Sequence, residues 1–378
     1  MFEVLEDRVV PTAYTWNGGT DGNWATAANW TPSGVPGIAD SATFPATLTA
    51  AQTIMLPANV TTSVLSINFA QTAAAAIVNI TGGLGSSLQT SSITASASVS
   101  SVIGAPLIEG TTFLVDVEGS SPLFLNGAIS GSAQFKKAGP GTLVLGGVNS
   151  FTGFVTVSAG VLSISADANL GSSSATTELI LSPSNTVTGT AVLDVTANVT
   201  LGSLRRIEVG NFGGDGTIDF SNGSGMVVTN NNLVVSGPLT LLSDVPTATI
   251  LLMNGTQSIS SSVTLASGRI LDSVSGAFSG SPVTVAAGGQ IEFTKSMSSS
   301  TPFTFSGTGN DGRGALVIDG SSTTLTSITL GGDATADYVG PSIGMVTLPK
   351  VLGAFRLTLG GAPDSTAATW VFNSTVTA

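Results

Sequence analysis

The amino-acid sequence predicts an all-β fold, a parallel β-helix (β-solenoid) with about 20 residues per coil. β-branched residues and Gly dominate the chain, and runs of apolar residues at helical spacing are hard to find. Short apolar triplets recur, each followed closely by turn-forming residues. One type, apolar-Thr-apolar, returns every 20 residues, at Val263-Thr264-Leu265, Val283-Thr284-Val285 and Phe303-Thr304-Phe305. A fixed period of this length indicates coils that bury their apolar residues only by stacking on one another.

Each triplet has a predicted orientation, because alternate residues of a strand face opposite sides. Val263 and Leu265 are expected in the core, and Thr264, Thr284 and Thr304 are expected in an outward ladder along the stack. An antiparallel sandwich or barrel is the competing fold, but it carries no in-register repeat of this kind. Further triplets extend the series: Leu123-Phe124-Leu125 with Leu143-Val144-Leu145 at an interval of 20, then Ile328-Thr329-Leu330 and Val346-Thr347-Leu348 at intervals of 25 and 18.

Composition divides the chain into three segments. Residues 1–12 carry charges and a Pro but no period, which is typical of a flexible tail. Residues 13–45 contain three of the four tryptophans in a Gly-, Asn- and Asp-rich stretch, which predicts an N-terminal cap or first coil. Residues 46–378 hold the solenoid repeats and end in a strand-like segment, so we expect an array that stops without a distinct C-terminal cover.

The composition excludes several reaction classes. The 378 residues include no His and no Cys, so the chain has no Ser-His-Asp or Cys-His triad, no His or thiolate metal ligand and no disulfide. We therefore expect no cofactor, no metal site and no catalytic residue.

Charge and hydropathy limit the partners and the compartment. The formal charge of −12 argues against nucleic acid, since phosphate binding needs clustered cations. The basic doublets Lys136-Lys137 and Arg205-Arg206 are predicted to be solvated surface pairs. No apolar run approaches the roughly 18 residues of a membrane-spanning helix, and residues 1–12 lack the basic and apolar regions of a secretory signal.

One segment carries a specific family pattern. It has Lys137, the run Gly139-Pro140-Gly141-Thr142-Leu143, the run Gly147-Val148-Asn149-Ser150-Phe151-Thr152-Gly153, the strand Val155-Thr156-Val157 and the turn residue Gly160. Over about 30 residues this pattern closely resembles the autotransporter-associated β-strand repeat. The resemblance implies a bacterial surface or secreted protein with a β-helical passenger region.

Weaker similarities lie elsewhere. The Trp-containing residues 14–44 are similar to the first coil of many such proteins, and residues 307–316 to related repeats. The run Leu5-Glu6-Asp7-Arg8-Val9-Val10-Pro11 resembles an N-terminal motif of exported proteins from planctomycete-type bacteria. These similarities imply export to the cell surface or the medium.

Two close acid pairs are candidate carboxylate sites, Asp116 with Glu118 and Asp215 with Asp219. The first pair has same-face spacing on a strand, as a polysaccharide-active enzyme would need. Surface acids on a strand are more often solubilising charges. Residues 213–219 resemble a calcium-binding nonapeptide, yet the Asp falls one position late and the motif does not recur, so a turn is the better interpretation.

Trp16, Trp24 and Trp30 are the candidate ligand platform. Their flat faces could stack on a sugar ring, or they could plug the open end of the solenoid, which is the interpretation we favour. The glycines Gly139, Gly141, Gly160 and Gly268 are predicted to be coil corners.

Taken as a set, these features predict a non-enzymatic extracellular or cell-surface β-solenoid that serves as a structural stalk or adhesin-like passenger. The alternative is a polysaccharide lyase or glycoside hydrolase that uses surface carboxylates. The expected partners are a cell-surface or extracellular polysaccharide and further copies of the solenoid.

Overall fold

The computed structural model describes residues 11–18, 21–172, 178–182, 190–210, 214–229, 232–340, 344–349, 351–361 and 368–372. They fall into two compact units, one within Met1–Leu162 and Ala168–Ser172, the other within Ser163–Asp167 and Ser173–Ala378. The predicted tail, residues 1–12, lies outside the described residues except for its last two.

The first unit is built from short strands, as the triplets predict. They are β1 (Ala13–Trp16), β2 (Trp30–Thr31), β3 (Ser41–Phe44), β4 (Gln52–Leu56), β5 (Thr61–Ser63), β6 (Ser66–Phe69), β7 (Val78–Gly82), β8 (Ser87–Ala95), β9 (Ser101–Ile103), β10 (Leu107–Val117), β11 (Leu123–Leu125), β12 (Ile129–Ser130), β13 (Phe135–Ala138), β14 (Thr142–Leu145), β15 (Val155–Val157) and β16 (Gly160–Ile164), of which the first three residues belong to this unit.

The second unit is also built from β-strands. Its strands are β17 (Glu178–Leu181), β18 (Ala191–Val195), β19 (Val199–Thr200), β20 (Arg206–Val209), β21 (Gly216–Phe220), β22 (Met226–Val228), β23 (Leu233–Val235), β24 (Leu239–Ser243), β25 (Thr249–Met253), β26 (Ser258–Ile259), β27 (Val263–Asp272), β28 (Val283–Phe293), β29 (Met297–Gly307), β30 (Leu316–Ile318), β31 (Ser322–Tyr338), β32 (Gly344–Leu348), β33 (Val351–Leu352), β34 (Leu357–Gly361) and β35 (Ala368–Phe372).

Helix is nearly absent. The described residues contain three 3₁₀ turns, at Ala27–Asn29, Asp167–Leu170 and Ser221–Gly223, and no α-helix. No helix in this part of the chain therefore has the length and apolarity needed to cross a membrane.

Parallel pairing between coils confirms the predicted fold class. Within the described residues only β1 and β2 pair antiparallel, and the other paired strands run parallel. In the second unit Val263 pairs with Val283 and Val283 with Phe303, so the 20-residue period of the sequence is a true register. The antiparallel alternative is excluded by this pairing.

The coils are longer on average than the sequence period, at about 24 residues. Glu178 pairs with Arg206, 28 residues on, because the connections between strands vary while the strands stay in register. The predicted interval of 25 to Ile328 is confirmed by its pairing with Phe303. The predicted interval of 18 is wrong, since Val346 pairs with Thr323 on the same long strand, β31.

The core follows the strand alternation. Val263, Leu265, Val283 and Val285 are at most 1% exposed, and the intervening Thr284 is exposed. Each coil therefore contributes apolar residues to the interior at every second position, and stacking on its neighbours removes them from water.

Candidate functional site

The segment with the family pattern forms a corner of the first unit, built around Lys137. This side chain is fully buried on β13, and its Nζ donates hydrogen bonds to the carbonyl oxygens of Ala138 at 2.7 Å, Gly139 at 2.8 Å and Ala159 at 3.1 Å. Because Ala159 lies on the next coil, the ammonium ties two coils together. Burial lowers the pKa of Lys137 to about 8, while Asp116 and Glu118 act in the opposite direction.

The burial of Lys137 shows that the prediction of two solvated basic surface pairs is wrong. Lys136 is exposed and Lys137 is buried, because neighbours on a strand point to opposite sides. The second doublet behaves alike: Arg205 is buried with its Nε 3.0 Å from the Asp167 carboxylate, and Arg206 is half-exposed with its Nη1 3.0 Å from Glu178. Only one member of each doublet is therefore a surface charge.

The glycines of the pattern fit a tight corner. Gly139 has a φ of +74° and Gly160 a φ of +69°, both in the left-handed region that a side chain disfavours. A Cβ at Gly160 would also lie 2.5 Å from the Gly139 carbonyl oxygen. The prediction of coil corners at these positions is confirmed.

The Asn of the pattern forms a second tie between coils. The Asn149 Oδ1 accepts a hydrogen bond from the Ile129 amide at 2.8 Å, and its Nδ2 donates to the Asn169 carbonyl at 2.5 Å. The Asn169 Nδ2 in turn donates to the Gly147 carbonyl at 2.9 Å. These buried amides satisfy backbone groups that the turns leave unpaired.

The aromatic residue of the pattern, Phe151, is buried against Phe135, with ring centroids 5.8 Å apart. Phe135 contacts Phe113 of the preceding coil at 4.9 Å. Lys137, Asn149 and Phe151 are thus used to hold coils together, and none of these three is presented to solvent as a reactive group.

The three tryptophans near the N-terminus form one buried cluster. Trp16, Trp24 and Trp30 are 1%, 0% and 1% exposed, and the Trp16–Trp30 and Trp24–Trp30 ring centroids lie 5.0 and 4.9 Å apart. Phe44 joins them and stacks on Phe69 at 5.4 Å. This placement suits the predicted cap. A sugar platform needs an exposed ring face, and none of the three offers one in this packing.

The acid pair at the end of β10 does come together, with Asp116 on the strand and Glu118 directly after it. Asp116 and Glu118 lie on the same outward side, and the Asp116 charge is the main cause that raises the pKa of Glu118, with a smaller opposing effect of Lys137. Within the part of the chain that the structure describes, the Asp116 Oδ1 is buried without a hydrogen-bond partner. The two carboxylates therefore lie next to each other at the end of β10, close to the buried amine of Lys137.

The two acids of the second pair, Asp215 and Asp219, lie in different surroundings. Asp215 is exposed just before β21, and Asp219 lies in register with Asp194 of the preceding coil. Burial first, then the charges of Asp194 and Asp244, raises the pKa of Asp219. Gly213 of the calcium-like motif lies outside the described residues. Across the described ranges no three carboxylates are grouped to hold a metal ion.

An ionic network on the second unit was not predicted. Glu292 is bound by Arg269 and Arg313 through Oε2 at 3.3 Å each, and Arg313 also binds Asp311 at 2.7 Å. The Gln290 Nε2 donates to the Asp311 Oδ1 at 2.6 Å, so residues 308–315 fold over the outward side chains of β28. The weak repeat similarity at residues 307–316 is the only sequence feature that marks this segment, and it does not predict which charged residues pair.

Comparison with known proteins agrees with this architecture. The family model described as passenger-associated-transport-repeat matches residues 135–164, the segment built around Lys137 and Asn149. Neither a curated protein nor a solved structure matches the chain. The chain therefore contains one passenger-type repeat within a β-solenoid, and the suspected resemblance is confirmed for that segment.

Proposed function

We propose that this chain is a bacterial surface or secreted protein whose β-solenoid serves as a non-enzymatic stalk with an adhesin-like outer surface. One observation carries the proposal: the passenger-type repeat uses Lys137, Asn149 and Phe151 to join coils. A motif whose Lys, Asn and aromatic residues serve stacking encodes a rod-like scaffold segment and leaves function to the outer face.

Surface exposure is the test. Intact source cells would be treated with a non-permeant biotinylation reagent and with protease, and the chain would be followed with an antibody beside a cytosolic marker. We expect labelling and cleavage of the chain while the marker stays intact. Protection of the chain until the cells are lysed would contradict the proposal.

A polysaccharide-active enzyme is the second candidate, favoured by the raised pKa of Glu118 beside Asp116. A raised carboxyl pKa is what a general acid requires. Reducing-end release from acidic and neutral polysaccharides would be measured for the wild type, Asp116→Ala and Glu118→Ala. We expect no release above background. Release that both substitutions abolish would replace the stalk proposal with this one.

A further inference from the structure

A column of threonines runs along the outside of the second unit. The predicted rungs Thr264, Thr284 and Thr304 are in register. The register extends the column at both ends to six successive coils, in the order Thr217, Thr240, Thr264, Thr284, Thr304 and Thr329. We call these six residues the threonine ladder. With neighbouring strands about 4.8 Å apart, the ladder is roughly 24 Å long.

The ladder's hydroxyls are not used inside the protein. None of the six ladder residues is buried, and within the described residues none of their Oγ1 atoms forms a hydrogen bond. Serines elsewhere on this unit behave differently: Ser260, Ser273 and Ser281 donate to carbonyls of the preceding coil at 3.1, 2.9 and 2.7 Å. The ladder therefore presents donors and acceptors outward at a constant interval.

The residues beside the ladder carry no charge over most of its length. Positions two before and two after each Thr lie on the same side of the strand. From the second rung to the sixth these are Pro238, Ser262, Pro282, Pro302 and Ser327 before the Thr, and Leu242, Ala266, Ala286, Ser306 and Gly331 after it. In a chain with a formal charge of −12, this is a neutral strip of hydroxyl, methyl and proline-ring groups.

We infer that the threonine ladder is the adhesive face of this protein, and that its partner is an uncharged polysaccharide with a regular chain repeat. This inference rests on the proposed surface location. A neutral strip offers no cation to an anionic polymer, and the net negative charge repels one. A neutral glycan matches both features of the strip, because its hydroxyls exchange hydrogen bonds with the Thr hydroxyls while its C–H groups contact methyls and proline rings.

The strip contains no aromatic residue, so a single sugar ring has nothing to stack on. Each rung then contributes little, and binding depends on several rungs acting at once along one polymer. The inference therefore predicts binding to an insoluble ordered polymer and negligible binding to its monosaccharide.

The test uses the purified full chain and microcrystalline cellulose, a neutral insoluble glucan, in a sedimentation assay. The variant is Thr264→Val/Thr284→Val/Thr304→Val, which keeps the β-branched shape and removes three hydroxyls. The matched control is Thr53→Val/Thr111→Val/Thr112→Val, three exposed strand threonines of the first unit. Thermal melts check that all three proteins are folded.

We expect the wild type and the control to bind alike, and the ladder variant to bind about tenfold more weakly because three hydrogen bonds are lost. Soluble anionic dextran sulfate should not compete. Equal binding by the ladder variant, or no binding by the wild type, would overturn the inference. Partition of the wild type into growing ice, or a ladder-dependent dimer in place of glucan binding, would also overturn it. A buried location in intact cells would contradict the proposed function and leave the binding result standing.

Discussion

Lys137 shows at the residue scale how a solenoid wall can hold a buried cation. Its Nζ has three carbonyl partners and two carboxylates in its electrostatic environment, so the amine is compensated without a direct ion pair to any described residue. A neutral side chain of similar length would leave the three carbonyls without a donor in a region that water does not reach.

We predict that Lys137→Met destabilises the fold by about 2–3 kcal/mol, the cost of unsatisfied buried acceptors. Lys136→Met, one position away on the exposed side of β13, should change stability by less than about 0.5 kcal/mol. Urea unfolding followed by circular dichroism measures both. Equal effects of the two substitutions would show that the three hydrogen bonds from the Lys137 Nζ to carbonyl oxygens do not contribute specifically to stability.

A second residue-scale prediction concerns the two sides of β28. Val283 is 1% exposed and Thr284 is exposed. Val283→Asp should bury an unpaired carboxylate between coils and lower the free energy of unfolding by about 4 kcal/mol or more. Thr284→Asp should lower it far less, because residue 284 is exposed. Thermal melts of the two variants compare them. The reverse order would mean that the core lies on the other side of the strand.

How far the sequence predicts this molecule depends on the type of residue. The apolar-Thr-apolar triplets give the fold class, the 20-residue register and the outward Thr264, because alternation and period are local properties. The burial of Lys137 and Arg205 is not local. It depends on carbonyls and on Asp167 of other coils, which no short pattern contains. The burial of Trp16, Trp24 and Trp30 is not local either, since Trp packing depends on Phe44 and on the cluster as a whole.

At the scale of elements, the N-terminal segment closes one edge of the first unit. β1 pairs with β3 and β3 with β6, so β6 (Ser66–Phe69) is covered on that side. The Trp16 Nε1 donates to the Gln52 Oε1 at 3.1 Å, which links the cluster to β4. Residues 11 and 12 add few contacts to this unit. One of them is the hydrogen bond that the Thr12 amide donates to the Asp40 Oδ1 at 2.8 Å.

We therefore predict different results for two deletions. Removal of residues 1–12 should leave the protein monodisperse in size-exclusion chromatography, with a melting temperature close to that of the full chain. Removal of residues 1–45 should expose the β6 edge and Phe69, and the product should aggregate. A soluble, cooperatively melting protein that lacks residues 1–45 would show that the Trp cluster is not a cap.

At the scale of the whole molecule, acidity is distributed unevenly between surface and interior. Most carboxylates of the described residues are accessible to water, but Glu109 and Asp272 are 6% and 2% exposed. The Ala133 amide donates to the Glu109 Oε2 at 3.0 Å, and the Val274 amide donates to the Asp272 Oδ1 at 3.0 Å. Among the described residues neither acid has a cationic partner, and burial raises the pKa of each to about 7.

These two acids give the global stability a definite pH dependence. Between the ordinary carboxyl pKa near 4 and the folded-state pKa of about 7, the native state binds more protons than the unfolded state. Stability must therefore fall as pH rises through this window, and the loss is complete above it. The lowered pKa of Lys137, about 8, acts with the opposite sign, so that stability recovers in part as pH rises further.

We predict that the full chain is more stable at pH 5 than at pH 7.5, by on the order of 2 kcal/mol for each buried acid. The double variant Glu109→Gln/Asp272→Asn keeps an acceptor for each backbone amide and removes the titration, so its stability should vary much less over the same range. Asp215→Asn, at an exposed acid just before β21, is the matched control and should keep the wild-type slope. Urea unfolding at several pH values at constant ionic strength measures all three proteins. If the double variant keeps the wild-type slope, the pH dependence does not come from Glu109 and Asp272. It would then come from repulsion among the surface carboxylates that give the chain its net charge of −12.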